Sequence, residues 1–352
     1  ACRRNGATGK LHDTGKGMPM PFFRPFALER FFAKHEFSAP YLLCSSDCES
    51  MPVAELLATD PGATDRLLDL RLGYTETRGA PSLRAAIAGQ YAGLSSDAVF
   101  VHAGAEEAIL NLCLAVLSAG DRVVVTYPGY QSLEEIPRAI GCDVRRWELR
   151  TTGVAGRAGG MVPGAAETAT GQPRRWFLDP DELRAIGGDS VRLIILNAPH
   201  NPTGALPTRD EYESIIAYAR KTGALLLVDE VYRRLERDQS KRLSSICEEY
   251  ENGIALDVLS KHAGLAGLRV GWLASRRADV LDAVAVVKDY NTICSSGPSE
   301  VLAELAVNNL EHIAARNRTI IGHNLGLLER FFADHEDFAT WIPPVAGSIA
   351  FP

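Results

Sequence analysis

The sequence lacks the long apolar run that a membrane-spanning helix requires. Crossing a bilayer takes roughly 20 consecutive apolar residues, and the stretch 108–117 is too short and carries Asn111. A basic excess is also missing. Thirty-seven Lys and Arg stand against 44 Asp and Glu, a net charge of −7, so the positive patch that neutralises phosphates has no counterpart here. Neither a membrane nor a nucleic acid is expected as a partner. The seven cysteines form no Cys-x-x-Cys pair and the eight histidines show no ligand spacing, so no metal site is expected. Reduced thiols in a cytoplasm-like compartment account for the cysteines. No Gly-x-Gly-x-x-Gly follows a strand, which argues against a nicotinamide-dependent dehydrogenase.

What is present is ordinary enzyme material. A chain of 352 residues, 46% apolar and 23% charged, suggests about two domains. Residues 1–17 are rich in Gly, Lys and Arg, with Asp13 as the one acid and no apolar core of a secretory signal. Residues 1–20 are read as a disordered tail. Residues 151–173 are dominated by Gly, Ala and Thr and offer little to bury, so they read as a flexible surface insertion. At the other end, Gly347-Ser348-Ile349-Ala350-Phe351 reads as a strand beginning without a partner, and the chain is read as truncated.

Between these ends, β-rich runs alternate with helical patterns. Strands are expected at 122–126, 142–147, 191–196, 224–228, 254–259 and 268–273, and helices at 131–140 and 180–186. Thr208 with Glu211 forms a capping box for a helix reaching Lys221. The strand runs are nearly continuous in Val, Ile and Leu, as in strands buried on both faces. The expected fold is α/β, a mostly parallel sheet sandwiched by helices. In such sheets the loops at the carboxyl ends of strands build the ligand site. Those loops are chemically loaded: Asp229-Glu230-Val231-Tyr232, Asn197 through Gly204, and Ser260-Lys261 followed by Gly264, Gly267 and Arg269.

Four motifs in order then carry a resemblance. They are Gly73-Tyr74 with Gly79 and Leu83-Arg84, the Asn201-Pro202-Thr203-Gly204 loop, Asp229 with Tyr232, and Ser260-Lys261 with Arg269 and Gly271. The chain resembles the class I/II aminotransferases of the aspartate aminotransferase-like fold type I, which use pyridoxal 5′-phosphate (PLP). The resemblance runs from about Phe22 to Phe351. It implies a large PLP-binding domain over 51–310, with 21–50 and 311–352 belonging to a small α/β domain that breaks off at the C-terminus.

The resemblance also implies roles. Lys261 would hold the cofactor as a Schiff base and then move a proton at the substrate α-carbon, tasks suited to an amine whose pKa shifts readily. Asp229 lies at the mouth of an apolar strand, where an unpaired charge is costly. Its implied partner is the pyridine nitrogen; a turn cap or a local pair with Arg233 competes. Asn201 and Tyr232 would hydrogen-bond the cofactor 3′-oxygen, with a plain turn as the alternative for Asn201. Gly104, Ala105 and Glu106, at a helix start suited to anions, would bind the phosphate with Ser260 and Arg269. For Glu106 only its backbone N–H is expected to serve, and a solvated face is an equal reading. Tyr130 would stack on the ring, or be a core aromatic. Tyr74 would reach the phosphate of a neighbouring subunit in a homodimer, or pack within its own chain.

Two departures from the family wording stand out. Val258 replaces a second hydroxyl near the lysine, and residues 42–47 lack the usual Gly-x-Pro-Asp. The segments 42–47 and 293–299 are expected to border the substrate. The implied activity is amino transfer between an amino acid and a 2-oxo acid. A lyase, decarboxylase, cyclase or hydroxylase on the same fold is the rival, and an impaired PLP-fold protein is a third reading.

Overall fold

Alternate residues of the Val- and Leu-rich runs bury on opposite sides, so each strand feeds two cores. Val123 and Val125 enter one core and Val124 the other; Leu225 and Leu227 oppose Leu226 and Val228 in the same way. The computed structural model describes residues 23–152, 174–339 and 341–352. The expected tail at 1–20 lies outside the described residues, as does most of the expected insertion.

Nine strands occur among the described residues: β1 (Val99–His102), β2 (Arg122–Tyr127), β3 (Asp143–Glu148), β4 (Arg150–Thr151), β5 (Trp176–Phe177), β6 (Val191–Asn197), β7 (Leu225–Asp229), β8 (Gly253–Val258) and β9 (Gly271–Ser275). Seven form one sheet in the order β1-β9-β8-β7-β6-β2-β3. Its parallel pairs are β2–β3, β2–β6, β6–β7 and β7–β8, while β9 runs against both of its neighbours. The helices Ala105–Val116, Gln131–Ile140 and Ala278–Lys288 cover one face; Pro81–Ala88, Arg209–Thr222 and Gly297–Asn308 cover the other. The mostly parallel α/β sandwich is therefore as expected.

Three readings need correction. The strand expected at 268–273 starts later: Ala266–Leu268 is a tight turn, Arg269 sits at φ 52°, and extended backbone resumes only at Gly271. A left-handed residue ends any pleat. The insertion expected from 151 takes in a strand residue, because Arg150–Thr151 pairs antiparallel with Trp176–Phe177. The strand expected to begin over 347–351 does not form. Gly347 turns at φ 83°, and the segment before it is stitched across neighbouring loops instead. Val345 and Ala346 donate to the Gly204 carbonyl, Arg237 donates to Val345 O, Gly347 donates to Leu235 O, and Ser348 Oγ donates to Ser46 O. Strand β1 was absent from the sequence reading; its four residues are too few to show a period.

The capping box forms as read. Thr208 Oγ1 accepts from Glu211 N at 3.2 Å, Glu211 accepts from Thr208 N at 2.8 Å, and the helix closes at Gly223 with φ 69°. No helix among the described residues is long and apolar enough to cross a membrane.

Candidate active site

The strands β6, β7 and β8 are parallel neighbours, so their carboxyl ends open onto one place. Asn197 ends β6 directly opposite Asp229, the last residue of β7. After β8 two residues turn the chain and present Lys261. A cavity of about 380 Å³ lies there, and every expected site residue except Gly104 and Tyr74 lines it.

Asp229 is 6% exposed and accepts one hydrogen bond, from Val231 N at 3.3 Å. Burial pushes its carboxyl up to about 7, against the attraction of Lys261. The turn-cap reading thus accounts for a single long bond. The pairing with Arg233 is not found, since that guanidinium faces Glu230 at 3.9 Å. Lys261 Nζ instead donates to Ser46 Oγ at 3.0 Å and pairs with Asp47 Oδ1 at 2.5 Å. Ser46 and Asp47 belong to the 42–47 segment expected to border the substrate.

Asn201 is not a plain turn residue. Its N–H donates to Asn197 Oδ1 at 2.6 Å and its Nδ2 donates to the Tyr232 hydroxyl at 3.2 Å. Asn197, which the sequence reading did not single out, also donates to the Asp229 carbonyl at 3.0 Å. His200 ties this loop to the one after β2, through Pro128 O at 2.7 Å and Thr203 Oγ1 at 2.9 Å. Burial drives its pKa down to about 4, so it serves as a neutral hydrogen-bonding bracket.

At the opposite wall, Gly104 caps the helix Ala105–Val116 at φ 93°. A Cβ there would lie 2.5 Å from Arg269 Nη2, so glycine is what lets the guanidinium sit at the helix N-terminus. Arg269 donates to Ala266 O at 3.2 Å and has no carboxylate within 4.0 Å among the described residues. Ser260 is buried and lines the same cavity.

The Glu106 side chain is not on a solvated face. It accepts from Ser132 Oγ and stands against Tyr130, and burial raises its pKa. Tyr130 stands next to it, its ring 5.3 Å from that of Phe26. Tyr74 is 91% exposed, so it does not pack against the described residues of its own chain. The 293–299 segment is also absent from the cavity wall.

One wall was missed altogether. The helix Ala27–His35 and its C-cap turn Leu28, Glu29, Phe32 and Glu36 into the cavity. Positions 28, 32 and 36 recur every four residues, a helical face that was readable in principle. Ala27 N donates to Gln131 Oε1 at 2.9 Å and Gln131 Nε2 donates to Pro25 O at 3.1 Å, which pins the helix beside Tyr130.

The chain is 29% identical over 348 residues to the capreomycidine synthase of Streptomyces vinaceus, covering 98% of this chain and 82% of that one. A PLP-dependent aminotransferase from Streptococcus suis superposes with a TM-score of 0.79 at 28% identity, over 92% of this chain and 81% of that one. The PLP-dependent cyclase OrfR gives 0.78 at 30% identity, over 92% and 79%. The sheet with its flanking helices is the fold type I architecture of PLP enzymes, and the cofactor is pyridoxal 5′-phosphate. The cavity fits that group: among the described residues, a buried carboxylate with no cation in ion-pair reach suits a protonated ring nitrogen, and a guanidinium at a helix N-terminus with no carboxylate in reach suits a phosphate. The aminotransferase class I and II family model matches residues 43–347. That span holds all nine strands and the whole cavity wall except the four side chains on the first helix, and with it the chain belongs to the class I and II aminotransferase family.

Proposed function

We propose that the protein moves an amino group between an amino acid and a 2-oxo acid. The observation that carries this reading is the meeting of Lys261, Asp229 and the Asn201–Tyr232 pair at the ends of three adjacent strands. Lys261 would bind the cofactor covalently, Asp229 would hold its ring nitrogen protonated, and Asn201 with Tyr232 would hydrogen-bond its 3′-oxygen. Tyr130 would lie against the ring. The Ala105 and Glu106 amides, Ser260 and Arg269 would hold the phosphate, with Gly104 leaving them room. Bound there, PLP supplies an electron sink for charge developing at the substrate α-carbon. Lys261 carries the proton to and from that carbon, while Ser46 and Asp47 hold its nitrogen beside the cavity. The working unit is a homodimer in which the exposed Tyr74 hydroxyl reaches the partner's phosphate.

Gly104→Ala tests the phosphate wall. Backbone at φ 93° and ψ 175° is essentially restricted to glycine and costs another residue about 1–3 kcal/mol, and the new methyl displaces Arg269. Cofactor affinity should weaken by about tenfold or more, read by titrating cofactor-free protein with PLP and following absorbance. Unchanged affinity would remove Gly104 and Arg269 from the phosphate site.

A second reading is ring formation within one amino acid. Its support is the likeness to a capreomycidine synthase over 98% of this chain and to a PLP-dependent cyclase at 30% identity. The same cavity residues serve both reactions, and substrate-side groups choose between them. Incubating the PLP-loaded protein with an amino-acid panel, with and without a 2-oxo acid, separates them. Transfer yields new amino and oxo acids only when the 2-oxo acid is present. A cyclised product that forms without it overturns transfer in favour of the second reading.

A further inference from the structure

We propose that Asp257 is a positioning residue: its buried carboxylate ties the Lys261 turn to the Tyr232 loop and so sets the amine against the hydroxyl. This deepens the proposed function and rests on its placing of the cofactor on Lys261. Asp257 sits on β8, is 1% exposed and is not part of the cavity wall. Its Oδ1 accepts from Val258 N at 2.7 Å and meets His262 Nε2 at 2.9 Å. A carboxylate only accepts, so Nε2 carries the hydrogen. His262 is wholly buried, and its other ring nitrogen has no partner among the described residues. Asp257 is therefore what anchors the side chain of the residue next to Lys261. The His262 carbonyl accepts from Asn317 Nδ2 at 2.9 Å, on the helix Leu310–Asp334, which fixes the backbone of the turn as well.

The other oxygen reaches the loop that carries Tyr232. Asp257 Oδ2 lies 3.8 Å from Arg234 Nη1, and Arg234 follows Tyr232 by two residues. Arg234 adopts φ 80°, a conformation uncommon outside glycine, and its Nη2 donates to Gln90 Oε1 at 3.2 Å. Charges buried this deeply are a poor source of stability, since apolar side chains of similar volume serve as well or better. Direction is what such packing lacks. A single carboxylate with a tether to each of two loops holds their side chains in one register, as the support of a reactive constellation must. The charge of Asp257 is also felt inside the cavity, where it helps to raise the pKa of Asp229. Position and charge are therefore separated by experiment.

The test compares PLP-loaded Asp257→Asn with Asp257→Asn/Arg234→Gln, which removes one charge of each sign and leaves neither buried alone. Misplacing a reacting group by about 1 Å costs up to about 10²-fold, so kcat should fall about 10- to 10²-fold in both variants while substrate KM changes little. Without substrate, the pH midpoint of the cofactor's visible absorption should move by about one unit or more in both, because the Tyr232 hydroxyl has shifted. A charge effect alone would move the midpoint in the single variant and restore it in the double one. A merely structural role would lower the urea midpoint and leave the spectrum and kcat of the folded protein unchanged. Either result overturns the inference. His262→Gln, which keeps the Asp257–Arg234 pair, reads the lysine side: covalent capture of PLP by cofactor-free protein should slow about tenfold. Failure of all three variants to fold would assign the buried charges to stability and overturn the inference as well. Midpoint and capture rate are read without an amino acid. Their shift in a protein that transfers no amino group would uphold the positioning role and overturn the proposed transfer, whereas a native Lys261 that captures no PLP would overturn both.

Discussion

Lys261→Ala is expected to abolish covalent capture of the cofactor and to lower turnover by at least about 10⁴-fold. The substitution removes both the amine that binds the aldehyde and the group that carries the α-proton. Cofactor bound covalently survives borohydride reduction, so a tryptic peptide containing Lys261 should carry the cofactor's mass in the native protein and lose it in the variant. The fold should persist. Lys261 is partly exposed, and its ion pair with Asp47 is of the kind that contributes about 0–1 kcal/mol. A variant that folds and still shows the covalent adduct would place the adduct on another lysine and remove the centre of the assignment.

Asp229→Asn should cost turnover about 10²–10³-fold, the scale for deleting one preorganised electrostatic partner, and it should also alter stability in a way the sign of the shift dictates. Burial raises the folded carboxyl from its ordinary 3.8 to about 7. Between those values the native chain keeps a proton that the unfolded chain has released. The stabilising contribution is therefore complete in acid and lost as pH rises through 7. Above that, ionised Asp229 costs the cofactor-free protein on the order of 4 kcal/mol at most. Cofactor-free Asp229→Asn should then match the native protein near pH 4 in urea denaturation and exceed it near pH 8. Loading native protein with PLP should flatten the difference, since a cationic ring nitrogen favours the ionised carboxylate. A native protein with no such pH dependence would show that Asp229 is not isolated from charge.

The central sheet was legible because two-sided burial writes itself as unbroken runs of Val, Ile and Leu, and the register that sets Asn197 against Asp229 follows from strand neighbours. Asn201, Asp229, Tyr232 and Lys261 were legible as polar residues placed just past those runs. The groups that hold them were not. Asp47 meets Lys261 across 214 positions of chain, and Asn197 reads as one more polar residue at a strand end. The direction of β9 was equally hidden, because an apolar strand looks the same run either way. The inward face of Ala27–His35 has a legible period, but a single short amphipathic helix does not announce which cavity it will cover.

The stitched segment around Ala346 has a mechanical consequence. It clips the Gly204 turn that follows Asn201, the Leu235–Arg237 backbone that follows Tyr232, and the Ser46 carbonyl beside the lysine's partners. Three loops from distant parts of the chain share one clasp. A tug on any of them is passed to the other two, so the cavity yields as a unit or holds as a unit.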